Sequence, residues 1–284
     1  MNHRGFALLA VLWVLTALSV LAGAGFAVAR TGSLTTRNRV LLARAGWARE
    51  ACVEILLARY AQNPAIRRLD PVDLGRSTWC VATLEDPAAK LNLNLADRDA
   101  LLTVLSAVSP RRSVDSLADA LLDWRDPDTL ARPYGVETDA NRNGPLADVA
   151  ELQCVPGFDS TLVARLSALL TTRGTGVINV NAAPREVLAT LPGMTEEGLL
   201  VVLGRRTSGG PIQSADELAA LVSKSARSVL LASYPEFVRA ATFAPGQLVA
   251  RVEGGVQGTP IVARATLTVV PVPGRLAVIR RETE

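Results

Sequence analysis

The sequence predicts an α+β protein in which a long N-terminal helix precedes a small antiparallel sheet, with a large helical domain inserted into that sheet. Three observations predict this class. The chain of 284 residues begins with a long apolar run, ends in several short strand-like segments, and contains between them a pair of motifs that occurs twice. This length is enough for one anchor and one large or two small domains, at roughly 100–200 residues per domain.

The first element is a helix that continues far beyond its apolar part. No charged residue interrupts residues 6–29, a run long enough to cross a hydrocarbon core of ~30 Å at ~1.5 Å per residue. A secretory signal, the alternative, would have a shorter apolar region of ~7–15 residues. Beyond the run, larger apolar side chains recur at helical intervals among arginines: Ala43, Trp47, Val53, Leu57 and Tyr60. We therefore expect one helix over residues 6–60, with residues 6–29 in the membrane.

The sheet is predicted from two separated parts of the chain. The segment STWCVATLE, which begins at Ser77, has β-type composition. After Tyr234-Pro235 come four strand-like segments: FVRAATF, QLVARVEG, IVARATLTVVPV and RLAVIRR. Pro-Gly and Gly-Gly pairs lie at or near the turns between them. We expect residues 61–94 and 234–284 to form an antiparallel sheet packed on the second half of the helix.

Residues 95–233 are predicted to form a helical domain built from a duplicated unit. Leu91–Leu105 and Ile178–Gly193 both begin with an apolar-Asn-apolar-Asn step and reach an apolar helix after the same interval. GPLADVAEL, from Gly144, aligns without gaps on GPIQSADEL, from Gly210. Fixed self-similarity of this kind indicates a repeated supersecondary unit. Each unit is expected to be an Asn-capped helical hairpin, since Asn accepts hydrogen bonds from the first free amides of a helix.

The second copy resembles a helix-hairpin-helix unit, a module that often binds DNA. DNA-binding versions normally present Gly-apolar-Gly, so that backbone amides approach a phosphate closely. Here Gly193 is followed by Met194 and Thr195, and then by Glu196 and Glu197, whose carboxylates repel phosphate. The net charge of +3 is also too small to indicate a nucleic-acid partner. We expect a hairpin that packs on protein, with a membrane-anchored DNA receptor as the alternative function.

The first copy carries an insertion rich in oxygen ligands, within Leu121–Pro145. Calcium takes 6–8 oxygen ligands and tolerates irregular loops, so this composition favours a calcium site. Interleaved arginines leave a solvated, ion-paired loop as one alternative and a catalytic carboxylate pair as another. The single histidine, His3, argues against most Ser-His and Cys-His enzymes, and we expect no catalytic residues. The predicted calcium ligands are Asp123, Asp126, Asp128, Glu137 and Asp139.

The three cysteines show no spacing typical of a metal site. Cys52 falls on the helical pattern and is expected to be a small buried residue. Outside the cytoplasm, Cys80 and Cys154 are candidates for a disulfide.

Several of these motifs together resemble the minor pseudopilin K family of the type II secretion system, the general secretion pathway protein K. They are Arg-Gly directly before the apolar run, DWRDPD, GVE, the GP-x5-EL spacing and INVNAAPREVLATL. The resemblance implies a pseudopilin fold with bound calcium in the inserted helical domain. It also implies that residues 1–5 form a leader, which a prepilin peptidase cuts between Gly5 and Phe6 before methylating Phe6.

The same resemblance implies a position in an assembly. Most pseudopilins carry Glu at the fifth mature position, where this chain has Ala10. That Glu is thought to meet the N-terminal amine of the subunit ahead, so a subunit without it is expected at the tip of the periplasmic pseudopilus. The implied partners along the helix are minor pseudopilins of the I and J types, and Ala10 and Trp13 of the helix would contact them. The inner-membrane secretion platform is a further implied partner.

The membrane topology is likewise implied by the family. A prepilin peptidase acts at the cytoplasmic face, so the N-terminus would be cytoplasmic and the bulk of the chain periplasmic, with one pass through the inner membrane. Arginines follow the apolar run, at Arg30, Arg37 and Arg39, and a count of positive charges alone would favour the opposite orientation. The resemblance implies a structural protein rather than an enzyme.

Overall fold

The structure is a computed structural model that describes residues 3–109, 113–208 and 210–283, with side chains from residue 11 onward. It confirms the predicted α+β class. The helices are α1 (His3–Gln62), α2 (Arg98–Val108), α3 (Val114–Arg125), α4 (Ser160–Leu166), α5 (Arg185–Leu188), α6 (Glu196–Ser208), α7 (Ala215–Leu221), α8 (Lys224–Ala232) and α9 (Tyr234–Ala240). The strands are β1 (Arg68–Gly75), β2 (Thr78–Glu85), β3 (Leu91–Asn92), β4 (Leu170–Thr171), β5 (Ile178–Asn179), β6 (Ala241–Thr242), β7 (Leu248–Val256), β8 (Val262–Val272) and β9 (Arg275–Thr283). Short 3-10 helices occupy Pro87–Ala89 and Val149–Cys154.

The chain forms two compact units. The first comprises residues up to 83, 251–267 and 281 onward, and the second comprises residues 84–250 and 268–280. The five-stranded sheet has the order β1-β2-β7-β8-β9. β1 and β2 pair antiparallel, and the hairpin between them turns through Arg76 and Ser77, which both have positive φ. Two consecutive residues of positive φ are typical of the tight turns that match the twist of paired strands.

In the first unit, helix α1 buries a stripe of small and apolar residues. The stripe repeats every three to four positions and comprises Ala45, Ala48, Cys52, Val53, Leu56 and Tyr60. The predicted stripe is therefore correct at Val53 and Tyr60 but wrong at Ala43 and Trp47, which are exposed. The reason lies at Gly254 of β7, where an added Cβ would lie 2.2 Å from the backbone nitrogen of Arg49. So close an approach admits alanine on the helix and leaves no room for an indole.

The second unit contains helices α2–α9 and one continuous core of buried aliphatic residues, with Phe237 fully buried among them. The prediction of a strand over FVRAATF is wrong for most of its length. Phe237 to Ala240 belong to α9, and only Ala241 and Thr242 are extended. Pro235 in the first turn fixes a helical φ, and Phe237 gains complete burial from the helix, so local β propensity is overridden.

The two copies of the repeated motif have the same local structure. Asn94 Nδ2 donates to the carbonyl of Leu146 at 2.9 Å, and the Leu146 amide donates to Asn94 Oδ1 at 2.8 Å. In the second copy Asn181 makes the same two bonds with Ile212, at 2.7 and 2.9 Å. In each copy of the repeat, the apolar-Asn-apolar-Asn step therefore binds the segment that contains Gly-Pro.

The preceding asparagines and the short strands also correspond. Asn92 Oδ1 accepts from the Asn94 amide at 2.9 Å, and Asn179 Oδ1 accepts from the Asn181 amide at 3.0 Å. β3 pairs parallel with β4, just as β5 pairs parallel with β6. The asparagines thus close loops and bind carbonyls. The predicted Asn caps are replaced in the first copy by Asp97, which caps α2 by accepting from the Ala100 amide.

Candidate functional site

The acidic insertion starts from two buried carboxylates on α3. Asp119 and Asp123 lie one turn apart and are 1% and 0% exposed. Asp119 accepts from Arg98 Nε at 2.7 Å and from the Tyr134 amide at 3.3 Å. Both oxygens of Asp123 accept from the Arg132 amide at 3.2 Å. These bonds hold the first part of the insertion against α3.

Gly135 explains why Asp123 reaches the loop so closely. A Cβ added at Gly135 would lie 1.8 Å from Asp123 Oδ2. The side-chain Nε of Arg132 is 3.7 Å from Asp123 Oδ1, which partly compensates the buried charge. In this arrangement the carboxylate of Asp123 accepts from the Arg132 backbone amide and positions the loop.

Asp126 and Asp128 follow immediately after α3, where the helix ends. Asp126 Oδ2 accepts from Arg132 at 2.9 Å, while its buried Oδ1 has no hydrogen-bond partner. Burial, and next the charge of Asp128, raise the pKa of the Asp126 carboxyl. Asp128 is exposed and accepts from the Leu130 amide at 2.9 Å. Asp126 therefore binds Arg132 through one oxygen and keeps its other, buried oxygen without a partner.

The second half of the insertion buries further oxygens without partners. Both carboxylate oxygens of Glu137 are inaccessible to solvent and have no hydrogen-bond partner. The same holds for Oδ1 of Asn143, a residue of positive φ whose amide donates to the Trp124 carbonyl at 3.0 Å. An ionised carboxylate buried without a partner costs several kcal/mol, of order 1–3 for even a neutral acceptor. Asp139, the last predicted ligand, is exposed.

Two basic side chains of this region, Arg125 and Arg142, bind groups other than Glu137. Arg125 is half-buried and donates to the carbonyls of Leu93 and Ala96. Burial, and next the charge of Arg132, lower the pKa of the Arg125 guanidinium. Arg142 forms an ion pair with Glu151 at 2.9 Å. Glu137 therefore keeps two buried oxygens without a hydrogen-bond partner, while Arg125 and Arg142 bind other groups.

The predicted ligands are thus only partly brought together. Among the described residues, no three carboxylate, imidazole or thiol side chains are arranged to hold a metal ion. Four orphaned oxygens, on Asp126, Glu137 and Asn143, nevertheless belong to the same insertion. Sequence reasoning missed Asp119, and it counted Asn143 among the oxygen donors of the insertion without placing it in the predicted ligand set. The spacing of Asp119 four positions before Asp123 on one helix face was the signal that could have identified the former.

The hairpin of the second copy has its charges satisfied within the protein. Glu197 accepts from both the amide and the hydroxyl of Ser223, at 2.6 Å each, and these bonds lower its pKa. Arg205 pairs with Glu217 at 2.8 Å, and Arg206 donates to the carbonyl of Val180. Two carboxylates thus begin α6, and both arginines at its end bind protein groups, so nothing here supports DNA binding.

The first half of α1 is unpartnered. Every described side chain from residue 11 to residue 40 is exposed, including Trp13 at 74%. Within the described residues, α1 is the one helix that is long and apolar enough to cross a membrane. Gly5, Phe6 and Ala10 lie on its backbone but outside the part of the chain whose side chains are described. Such a surface requires lipid or other helices to cover it.

The three cysteines are free, and they divide by exposure. Cys154 is exposed, whereas Cys52 of α1 and Cys80 of β2 are both 0% exposed. Cys80 lies on β2, which neighbours β7 in the sheet, and β7 approaches α1 at Arg49, one turn before Cys52. Cys80 and Cys154, the candidates for a disulfide, are not bonded to each other in this structure.

Comparison with known proteins finds a matching family and related solved structures. Residues 81–174 match the family described as type II secretion system (T2SS), protein K. The fold resembles a chain of the crystal structure of the GspK-GspI-GspJ complex from the type 2 secretion system of enterotoxigenic Escherichia coli, with a TM-score of 0.62 and 18% identity. The match covers 90% of this chain and 99% of that chain. No curated protein sequence matches the chain.

Proposed function

We infer that the chain is a minor pseudopilin K of the type II secretion system, since residues 81–174 carry the protein K domain of that family. The fold supports the same role: a long apolar N-terminal helix precedes a small antiparallel sheet, as in the related structure. The observation that carries the role is the combination of that domain with a 60-residue helix whose first half is unpartnered. The role is structural and needs no catalytic group.

The unpartnered helix is proposed to serve as an anchor first and as an assembly surface afterwards. Residues 6–29 would hold the chain in the inner membrane, with the N-terminus cytoplasmic and both folded units periplasmic. Trp13, exposed on α1, would then contact other minor pseudopilins of the I and J types. The related chain comes from a complex of GspK with GspI and GspJ, which supports these partners. Ala10, in place of Glu, supports a position at the tip.

Processing of the leader gives the direct test of this role. We propose that a prepilin peptidase cuts after Gly5 and that Phe6 becomes the methylated first residue. Mass spectrometry of the chain isolated from membranes should then show a mature N-terminus at Phe6 with one added methyl group. Gly5→Ala should abolish the cut, whereas Gly25→Ala, within the apolar run, should leave it unchanged. An N-terminus between residues 24 and 29 would instead identify a signal peptide and contradict the role.

Calcium binding by the insertion is the second part of the proposal. The donors fit a hard cation: carboxylate oxygens of Asp126 and Glu137 and the amide oxygen of Asn143 are buried without partners. Asp123, Asp128 and Asp139 lie in the same insertion and could add to them. Arg132, now paired with Asp126 at 2.9 Å, would have to release that carboxylate when the ion binds. A bound ion would compensate the buried charges and order the insertion.

Calorimetric titration of the full chain in detergent with calcium tests this site. We expect saturable binding and a higher melting temperature with calcium than after chelation. Glu137→Gln keeps the size of the side chain but removes its charge, so it should weaken binding at least tenfold. Glu186→Gln, on α5 and outside the insertion, should bind calcium as the unaltered chain does. Equal affinities for all three proteins would rule out Glu137 as a ligand.

A further inference from the structure

The buried cysteines of the first unit form a pair whose surroundings bring a helix and a strand together. Cys52 belongs to the buried stripe of α1, between Ala48 and Leu56. Cys80 and Ala82 are buried on the same face of β2, at the alternate spacing of a strand. Burial raises the pKa of the Cys80 thiol, and its hydrogen bond with Cys52 lowers it in part. β2 neighbours β7 in the sheet, and Gly254 of β7 lies against α1 at Arg49, one turn before Cys52, so the buried faces that carry the two cysteines meet.

We propose that Cys52 and Cys80 form a disulfide that links α1 covalently to strand β2 in the exported protein. The proposal rests on the periplasmic placement given above, because disulfides persist in oxidising compartments. Of the three cysteines, these are the two that are fully buried, both in the first unit, and a disulfide between them would have the usual S–S length of ~2.05 Å. Neither residue is assigned a role by the function inferred above.

The chemistry requires an external disulfide as oxidant. Two S–H bonds break and one S–S bond forms between Cys52 and Cys80. Their two electrons and two protons pass to the disulfide of an oxidoreductase, which is reduced to two thiols. Exchange requires a thiolate and access, and both sulfur atoms are fully buried in the folded chain. The bond would thus form while the chain folds after export, and burial would then protect it from reduction.

The disulfide would transmit mechanical force between α1 and the sheet. Cys52 lies in the second half of α1, ten residues before its C-terminal end at Gln62. Any force that pulls on the membrane half of α1 during assembly passes to the folded unit through the contacts of that second half. A covalent bond to β2 keeps helix and sheet together when those contacts are strained.

Differential alkylation of the full chain provides the test. Spheroplasts that produce the chain are first treated with a membrane-impermeant maleimide, which labels accessible thiols. The protein is then denatured in the presence of iodoacetamide, which alkylates the remaining free thiols. Finally it is reduced, and the thiols released from disulfides are labelled with N-ethylmaleimide. Peptide mass spectrometry should find the first reagent on exposed Cys154, which reports periplasmic placement. N-ethylmaleimide should occur on Cys52 and Cys80, which marks them as disulfide-bonded. In Cys52→Ala, Cys80 should carry iodoacetamide instead.

The outcomes separate the disulfide from the placement on which it rests. Labelled Cys154 together with iodoacetamide on Cys52 and Cys80 overturns the disulfide alone. Cys154 that reacts only after lysis overturns the periplasmic placement, and the disulfide with it. Reduction should also lower the melting temperature of the purified chain by about 5–10 °C and leave that of the double Cys52→Ala, Cys80→Ala variant unchanged. An unchanged melting temperature in both proteins would contradict a stabilising bond.

Discussion

At Gly254, strand β7 comes so close to α1 that one added carbon would overlap the helix backbone. The Cβ of Gly254→Ala would lie 2.2 Å from the Arg49 nitrogen and 2.7 Å from the Ala45 carbonyl oxygen. Both are backbone atoms, so no side-chain rotation relieves the overlap. We expect Gly254→Ala to lower the free energy of unfolding by about 1–3 kcal/mol, the usual cost of overpacking. Denaturant unfolding of the full chain in detergent measures this change.

Gly246→Ala is the matched control, because a Cβ there would meet nothing within 4 Å. It should leave the free energy of unfolding within about 0.5 kcal/mol of the unaltered chain. Equal stabilities for the two variants would mean that α1 and β7 do not approach each other as closely as described.

The same residue-scale contact shows where sequence reasoning ends. The helical spacing of apolar residues predicted α1 correctly, and Val53 and Tyr60 are buried as expected. Trp47 is 76% exposed, because the contacting face is selected by the close approach of Gly254 and therefore takes small residues. Periodicity identifies a helix, but which face is covered depends on a strand far along the chain.

At the scale of the elements, the repeated asparagines hold together the two parts of each copy of the repeated motif, the Asn step and the GP-containing segment. The Asn181 side chain exchanges two hydrogen bonds with Ile212 and also donates to the Phe243 carbonyl at 2.8 Å, whereas the hydrogen bonds described for the Asn94 side chain are the two with Leu146. Replacement by alanine leaves buried backbone groups unpaired, at about 1–3 kcal/mol each. We expect both variants to be destabilised, with Asn181→Ala more so than Asn94→Ala. Denaturant unfolding curves of the two variants provide the comparison.

The aspartate variants refine this test. Asn94→Asp keeps an oxygen that accepts from the Leu146 amide but loses the donor to the Leu146 carbonyl. It should therefore be less destabilised than Asn94→Ala. If alanine and aspartate variants at both positions unfold like the unaltered chain, the asparagines do not hold the Asn step and the GP-containing segment of each repeat together.

These elements also show which parts of a site a sequence can reveal. The duplication was predictable because an Asn step and a GP segment are fixed to each other by direct hydrogen bonds, so their spacing recurs. The acidic insertion was predictable by residue type alone. Its arrangement depends on Gly135 lying against Asp123 and on Arg132 reaching Asp126, contacts that the path of an irregular loop decides. Spacing in the sequence does not encode such a path.

At the scale of the whole molecule, the proposed role requires the long helix to pass from lipid into an assembly. A residue that is favourable in one of these environments can be costly in the other. A carboxylate in the middle of a membrane helix costs about 2.5–3.5 kcal/mol unless it finds a partner. In an assembled filament the partner would be the N-terminal amine of a subunit ahead, which a tip subunit lacks. Ala10 therefore suits a chain that has no subunit before it.

This argument predicts the effect of Ala10→Glu. In a tip subunit the new carboxylate stays unpaired, so the amount of chain that co-purifies with I- and J-type partners should fall several-fold. Ala10→Leu, which keeps the position apolar, should preserve co-purification. Val11→Glu, one position further along α1, measures the general cost of a charge in the span. If Ala10→Glu preserves the complex while Val11→Glu disrupts it, the carboxylate has found an amine, and the chain occupies a position behind another subunit.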